Sequence, residues 1–306
     1  MLQIAAATLT LIGPMTRGQP SGSLAQLEVV VSDKRGQPVQ GLQKDDFDIK
    51  EDGRSVAPDT ATMVDADEDP GRGEGRFVIL VLDDVSELAA KDPRMTPSVQ
   101  RVARAFVDKI SSSNAVTVLR LSRNATAAPM THDEALMALA APKRVGEGLG
   151  PAPLFRHAIQ TVATIARQVA SAPHRWKPVV LIGAADYLER QNTDPMSRDW
   201  FGAAEAAAKA HVITYVIDPT DLARTMLRPE PRVSGSFGLA AETGGYVFAG
   251  ASAASAAVEQ VWSEAGHYYH LEYKPLLAGK APHRIEVRVK RAGVSARSRL
   301  SRWEAS

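Results

Sequence analysis

The sequence predicts an α/β protein in which a mainly parallel sheet, with helices on both faces, is flanked by a small β-sandwich formed from the N- and C-terminal strands. Three observations predict it. Between residues 76 and 265, runs that are apolar throughout, the first being Phe77-Val78-Ile79-Leu80-Val81-Leu82, alternate with amphipathic segments. Strands buried on both faces of a parallel sheet have that composition, and repeated strand-helix order builds such a sheet. Both chain ends instead alternate apolar and polar residues with a period of two, as half-buried strands do. Two strands bury too little surface to stand alone, so the two ends are expected to pair with each other.

The first expected strand holds Leu27, Val29 and Val31 in alternation and ends in the turn chemistry of Asp33-Lys34-Arg35-Gly36. Phe47 and Ile49 alternate with Asp46, Asp48 and Lys50 ahead of a second turn at Glu51-Asp52-Gly53. Asp65 to Gly75 is acidic and glycine-rich, a linker by composition. The spacing of Asp65, Asp67 and Asp69 resembles the start of a calcium loop. Pro70 stands where that loop needs Gly, and Arg76 where it needs a bidentate Glu, so calcium is not expected there. Past the first apolar strand, Val99, Val102, Ala103, Phe106, Val107 and Ile110 recur at helical spacing. Val116 to Leu121 is the next strand and Ile159 to Val169 the next helix. Pro178 to Ile182, Val212 to Ile217 and Tyr246 to Phe248 follow as strands, separated by an alanine-rich helix at Ala203 to Ala210 and a short one from Leu239 closed by Gly244 and Gly245. Ala251 to Ala265 is the last helix. Tyr268 to Tyr273 and Ile285 to Val289 then return to alternation, the natural partners of the first two strands.

Composition removes several function classes. With 306 residues, 44% hydrophobic and 23% charged, the chain has the make-up of one or two folded domains. Its 36 Lys and Arg balance 35 Asp and Glu, and a net charge of +1 offers no overall field for a polyanion, so no nucleic-acid partner is expected. The lack of Cys excludes disulfides, thiolate metal sites and cysteine nucleophiles. Leu2 to Met15 is a charge-free run of the length of a signal-peptide core, with no Lys or Arg before it. Residues 1–23 are therefore expected to be an export signal, and the protein periplasmic or extracellular; the alternative is a disordered or locally packed leader. No stretch is apolar for the roughly 20 residues of a spanning helix, so no transmembrane segment is expected.

Four stretches, in order over most of the chain, carry a family resemblance. VVVSDKRGQPVQGLQKDDFDIKEDG, FVILVLDD, LAAETGGYVF, and YHLEYKP followed by HRIEVRVKRAG are similar to the opening, first-strand, glycine-pair and closing segments of the von Willebrand factor A-related (VWFA-related) domain, found in many bacterial secreted proteins. The resemblance implies a Rossmann-like vWA domain at 76–265, set between terminal β segments at 24–64 and 266–306. It also implies where a ligand would sit, at the carboxyl ends of the sheet strands. In that family a metal-ion-dependent adhesion site there holds Mg²⁺ through Asp-x-Ser-x-Ser, a Thr from a later loop and an Asp after a later strand, an oxygen shell suited to a hard cation.

In this chain the motif reads Asp83-Asp84-Val85-Ser86-Glu87-Leu88. Counted from Asp83, the serine positions hold Val85 and Glu87; counted from Asp84, Ser86 fits and Leu88 replaces the second serine. Ala152 stands where the Thr would be and Ala184 where the later Asp would be, with Asp186 two residues on. The resemblance thus implies a degenerate site whose metal ligands would be Asp83, Asp84, Ser86 and Asp186. A hard cation does not exchange carboxylates for methyl groups, so no cofactor is expected. The plainer expectation for Asp83 and Asp84 is that they finish a buried strand and cap the next turn.

Motifs for catalysis are missing: there is no Gly-x-Ser-x-Gly elbow, no Gly-x-Gly-x-x-Gly, no phosphate-binding Gly-Lys-Ser/Thr and no His-Glu-x-x-His. The seven His are scattered, none with a partner at metal-ligand spacing, and His270 with Tyr268 and Tyr273 is expected on a half-exposed sheet face. No enzyme is expected. The basic tail of Arg284, Arg288, Lys290, Arg291, Arg297, Arg299 and Arg302 reads as the solvated face of an edge strand, the alternative being a site for an acidic polymer or anionic surface, with Trp303 anchoring either against the sandwich. The expected function is a non-enzymatic, exported interaction or adhesion module that holds an unidentified protein partner through the loops Asp83 to Pro97 and Gly146 to Phe155. The alternative is a divalent-cation-dependent adhesion domain using Asp84, Ser86 and Asp186. A more remote one is a hydrolase whose groups only folding brings together.

Overall fold

A computed structural model describes residues 24–67, 75–123, 126–141, 148–173, 176–184, 197–220, 238–276 and 282–303, so the leader lies outside the described residues. Strand β1 (Ala25–Asp33) ends in a turn closed by its own aspartate, whose Oδ1 accepts from the Arg35 and Gln37 amides at 2.8 and 2.9 Å. A 3-10 turn at Lys44–Asp46 leads into β2 (Phe47–Glu51). Asp52 and Gly53, both at positive φ (48° and 78°), turn the chain tightly into β3 (Arg54–Val56). β4 (Pro58–Asp65) follows, a strand that alternation did not announce because only its ends are buried.

The middle of the chain alternates β5 (Phe77–Leu82), α1 (Glu87–Lys91), α2 (Met95–Val107), β6 (Ala115–Arg120), α3 (His132–Ala140), α4 (Pro151–Val169), β7 (Lys177–Ile182), α5 (Ser197–Lys209), β8 (Val212–Asp218), α6 (Leu239–Thr243), β9 (Val247–Ala249) and α7 (Ala251–Gly266). β10 (His267–Tyr273), β11 (His283–Val289), β12 (Val294–Arg297) and β13 (Ser301–Arg302) close it.

Five strands form a parallel sheet in the order β6-β5-β7-β8-β9. Because side chains alternate across a strand, Val78, Leu80 and Leu82 pack with α2, α3 and α7 on one face, and Phe77, Ile79 and Val81 with α4, α5 and Leu239 on the other. This is a Rossmann-like layer with helices on both faces. Its first strand lies between the second and the third, so connections leave β5 and β7 in opposite directions and open a crevice at their carboxyl ends.

The chain ends pair with each other. β1 runs antiparallel to β10, with Leu27 opposite Leu271 and Val29 opposite Tyr269, and β2 to β11, with Ile49 opposite Val287. Two four-stranded sheets result, β12-β1-β10-β4 and β13-β11-β2-β3. Leu27, Val29, Val31, Tyr269, Leu271 and Tyr273 from the first share a core with Phe47, Ile49 and Ile285 from the second. The other face of the first sheet joins the parallel layer: Val30, Val64 and Tyr268 enter its core, and the Tyr268 ring lies 4.8 Å from Trp176 just ahead of β7.

Several expectations need correction. Helix α4 begins at Pro151 rather than Ile159, because Gly150 caps it, Pro151 has the fixed φ of a first helical residue, and Leu154, Phe155 and Ala158 extend the apolar stripe backwards. Pro151 to Phe155, expected in a loop, are its first turn. The basic tail is not one solvated strand. Arg284, Arg288, Lys290 and Arg291 are exposed, but Arg297, Arg299 and Arg302 fold inward onto Glu264, Glu28 and Glu51. His270, Tyr268 and Tyr273 are buried instead of half-exposed. Trp303 reaches α5, its ring 6.4 Å from Phe201.

Candidate functional site

The crest of the parallel sheet, where β5, β6, β7 and β8 end, carries the expected site residues. β5 hands over to Asp83, whose amide still donates to the Ile182 carbonyl of β7 at 2.9 Å. Its side chain turns back: Oδ1 accepts from the Val85 and Ser86 amides at 3.2 and 2.9 Å and closes the turn that follows the strand. Oδ2 is fully buried and has no hydrogen-bond partner of good geometry among the described residues. Burial pushes the Asp83 carboxyl above its ordinary value of 3.8, against the opposing pull of the Ser86 hydroxyl and the amides of Ser86, Val85 and Ala184.

Asp84 faces a different loop. Its Oδ1 accepts from the Ser122 amide at 2.9 Å and its Oδ2 from the Ser122 hydroxyl at 2.6 Å, with the Arg120 guanidinium 3.9 Å away. Arg120 in turn donates to the carbonyls of Leu139 and Ala141 at 2.9 and 2.7 Å, so the same group closes the last turn of α3 and sits beside Asp84. Ser86, fully buried, is the N-cap of α1, its hydroxyl accepting from the Ala89 amide at 2.9 Å. The structure thus brings Asp83 and Ser86 together and directs Asp84 toward Ser122. Asp186 lies outside the described residues.

Two glycines fix how closely the loops approach. A Cβ at Gly183 would lie 2.3 Å from Asp83 Cβ, and one at Gly148 would lie 2.3 Å from the Glu87 Cα, so neither position admits a side chain without displacing the crest. Leu149 bridges to the Asp83 loop, its amide donating to the Val85 carbonyl at 2.6 Å and its carbonyl accepting from the Glu87 amide at 3.1 Å. The Glu87 carboxylate lies beside Gly150 at the start of α4, where the helix dipole favours an anion. Val85, Glu87 and Leu149 are half-buried on this surface.

Sequence reasoning missed three crest residues. Ser122 holds Asp84, and Asp218, at the end of β8, accepts through Oδ1 from the Thr220 amide at 2.9 Å and hydroxyl at 2.7 Å. An Asp closing an apolar run, as in Val212 to Asp218, is the signal that could have located Asp218; Ser122 has none, because its partner is set by the β5–β6 pairing.

A scan against protein-family models and a search of curated proteins find no match. Among solved structures, the chain is similar to proximal thread matrix protein 1 of the mussel byssus, at 13% identity over 70% of this chain and a TM-score of 0.39; the match spans 50% of that protein's length. It is also similar to the manganese-loaded TRAP protein of Plasmodium vivax, at 11% identity over 78% of this chain and 95% of that one, with a TM-score of 0.39.

Proposed function

We propose that the chain is a non-enzymatic, exported VWFA-related domain protein that docks a protein partner on the crest of its parallel sheet without a metal ion, and that its terminal sheets form a β-sandwich beneath that layer. One observation carries the reading. The polar side chains that would make a cation shell are spent on the chain itself: both Asp84 oxygens accept from Ser122, the Ser86 hydroxyl caps α1, and Asp83 Oδ1 holds two amides. A hard cation needs about six oxygens, and these residues offer one uncommitted carboxylate oxygen. What the crest leaves half-exposed is Val85, Glu87 and Leu149, the two apolar side chains also packing against the core beneath them. Export rests on the charge-free run from Leu2 to Met15.

A second reading, a divalent-cation-dependent adhesion site using Asp84, Ser86 and Asp186, is favoured by one feature, the buried Asp83 Oδ2 without a partner. Calorimetric titration of the full chain with Mg²⁺ separates the two. Silence at millimolar Mg²⁺, with partner capture that survives chelator and is lost in Val85→Lys/Leu149→Lys, supports metal-free docking. Heat of Mg²⁺ binding that disappears in Asp84→Asn supports the second reading and overturns the first.

A further inference from the structure

Away from the crest, the fold gathers Asp65, Asp67 and His267 so that one ligand atom from each lies within 4.8 Å of the others. Asp65 ends β4, His267 opens β10, and the two are register partners. Asp67 stands in the turn that follows, where its amide donates to Asp65 Oδ1 at 3.0 Å. His267 Nδ1 is 2.9 Å from the Ser263 carbonyl oxygen. A carbonyl only accepts, so Nδ1 carries a hydrogen, and Nε2 is the ring atom left to face the two carboxylates. Nε2 lies 3.4 Å from Asp65 Oδ1 and 3.6 Å from Asp67 Oδ2.

Two carboxylate oxygens and an imidazole nitrogen converging on one point call for a positive charge between them, which a proton on Nε2 or a bound metal ion would supply. We propose that Asp65, Asp67 and His267 bind a transition-metal dication of the zinc type. Ligands held at about 2.1 Å around a tetrahedral ion sit about 3.4 Å apart, and the two separations from Nε2 agree with that spacing. The donor set of one imidazole and two carboxylates suits zinc or cobalt, whereas magnesium and calcium take shells of oxygen alone. A backbone carbonyl on the other ring nitrogen is the usual support of a metal-bound imidazole, since it fixes the tautomer. Arg76, 2% exposed, grips Asp67 with Nη1 on Oδ1 at 2.6 Å and Nη2 on Oδ2 at 2.8 Å. The guanidinium keeps Asp67 ionised and aimed, and holds its carboxyl below the ordinary value. It also cancels one of the two negative charges, and both ligating oxygens stay shared with a hydrogen-bond donor, Asp65 Oδ1 with the Asp67 amide and Asp67 Oδ2 with Arg76 Nη2, so the affinity is moderate. The ion would pin β4 to the α7–β10 junction, where the chain crosses between the terminal sheets and the parallel layer.

The test uses the full chain stripped by chelator and titrated with Co²⁺, then with Zn²⁺. The expected result is one Co²⁺ per chain with the intense visible absorption of a tetrahedral site, displacement by Zn²⁺, and a higher melting temperature with metal. Co²⁺ binding weakens more than about tenfold in His267→Gln and persists in Asp83→Asn, which separates this site from the crest. Nitrogen NMR of the native protein, which needs no variant, is expected to show the His267 Nε2 signal moving on Zn²⁺ addition. Absence of Co²⁺ binding at millimolar metal, an unmoved Nε2 signal, or binding unaffected by His267→Gln would each overturn the proposal.

Discussion

Replacing Glu28 by Gln tests how the chain ends are fastened to the parallel layer. Glu28 lies on β1 and is 4% exposed. Its Oε1 is 2.8 Å from His211 Nδ1, just ahead of β8, and 3.3 Å from His270 Nδ1 on β10; its Oε2 is 3.5 Å from Arg299. Buried Lys177, at the start of β7, also feels this carboxylate. Burial alone would raise the Glu28 carboxyl, but His211, His270 and Arg299 together outweigh it and hold the group far below its ordinary 4.5. Glu28→Gln keeps the shape and removes the charge, leaving Arg299 and Lys177 in a buried site without their anion. Losing one partner of a buried ionic cluster costs about 3–5 kcal/mol, a drop in melting temperature on the order of 10 °C for a chain of this size. The folded-state value is depressed, so the contribution is fully present above the unfolded value near 4.5 and fades as pH falls below it. Urea midpoints of native and variant protein are expected to differ most near neutral pH and to converge on acidification below about pH 4. Equal midpoints at neutral pH, or a gap that widens in acid, would refute the reasoning.

Asp83 behaves oppositely. Its folded-state value is raised by burial, so it stabilises below the unfolded value of 3.8 and costs stability as pH rises through the folded one; Asp83→Asn, which keeps Oδ1 as an acceptor, is expected to gain on the native protein between about pH 4 and pH 7 in urea titrations. Arg302→Met leaves Glu51, which is fully buried and takes Arg302 Nε at 2.8 Å and Nη2 at 2.6 Å on one oxygen, as an unpaired charge. The expected loss is about 3–5 kcal/mol by urea denaturation, and adding Glu51→Gln is expected to restore part of it.

What the sequence made legible was whatever is periodic. Phe77 to Leu82 reads as a strand buried on both faces because every residue is apolar, and the pairing of the first strands with the last follows from two-residue alternation at both ends. Asp83 closing its turn was equally readable, since strand-end aspartates do so locally. Side chains whose partners are distant in sequence were not legible. Arg297, Arg299 and Arg302 alternate like a solvated edge, and nothing local reveals Glu264, Glu28 and Glu51 waiting across the fold. His267 was equally opaque: its two carboxylates belong to the end of β4, and the Arg76 that disqualified a calcium loop there turns out to grip Asp67.

The parallel sheet has a polarity, and the polar networks divide along it. Lys177 and Val212 begin β7 and β8, Arg76 precedes β5, and His211 precedes β8. Glu28, Arg299, Asp67 and His267 meet the layer at these amino ends, so the terminal sheets are fastened to the end of the layer opposite the crest. The His211 backbone takes a positive φ of 55°, a strain of order 1 kcal/mol for a non-glycine residue, in the same residue whose ring bonds Glu28. Strain at that point makes sense if the fastening matters more than local comfort. Among the described residues, these fastenings leave the carboxyl ends, where open α/β sheets receive ligands, to the crest loops. A chain that spends part of its buried charge on anchoring one end, and its crest carboxylates on holding the loops of the other, keeps Val85, Glu87 and Leu149 in a fixed arrangement, as the proposed docking would require.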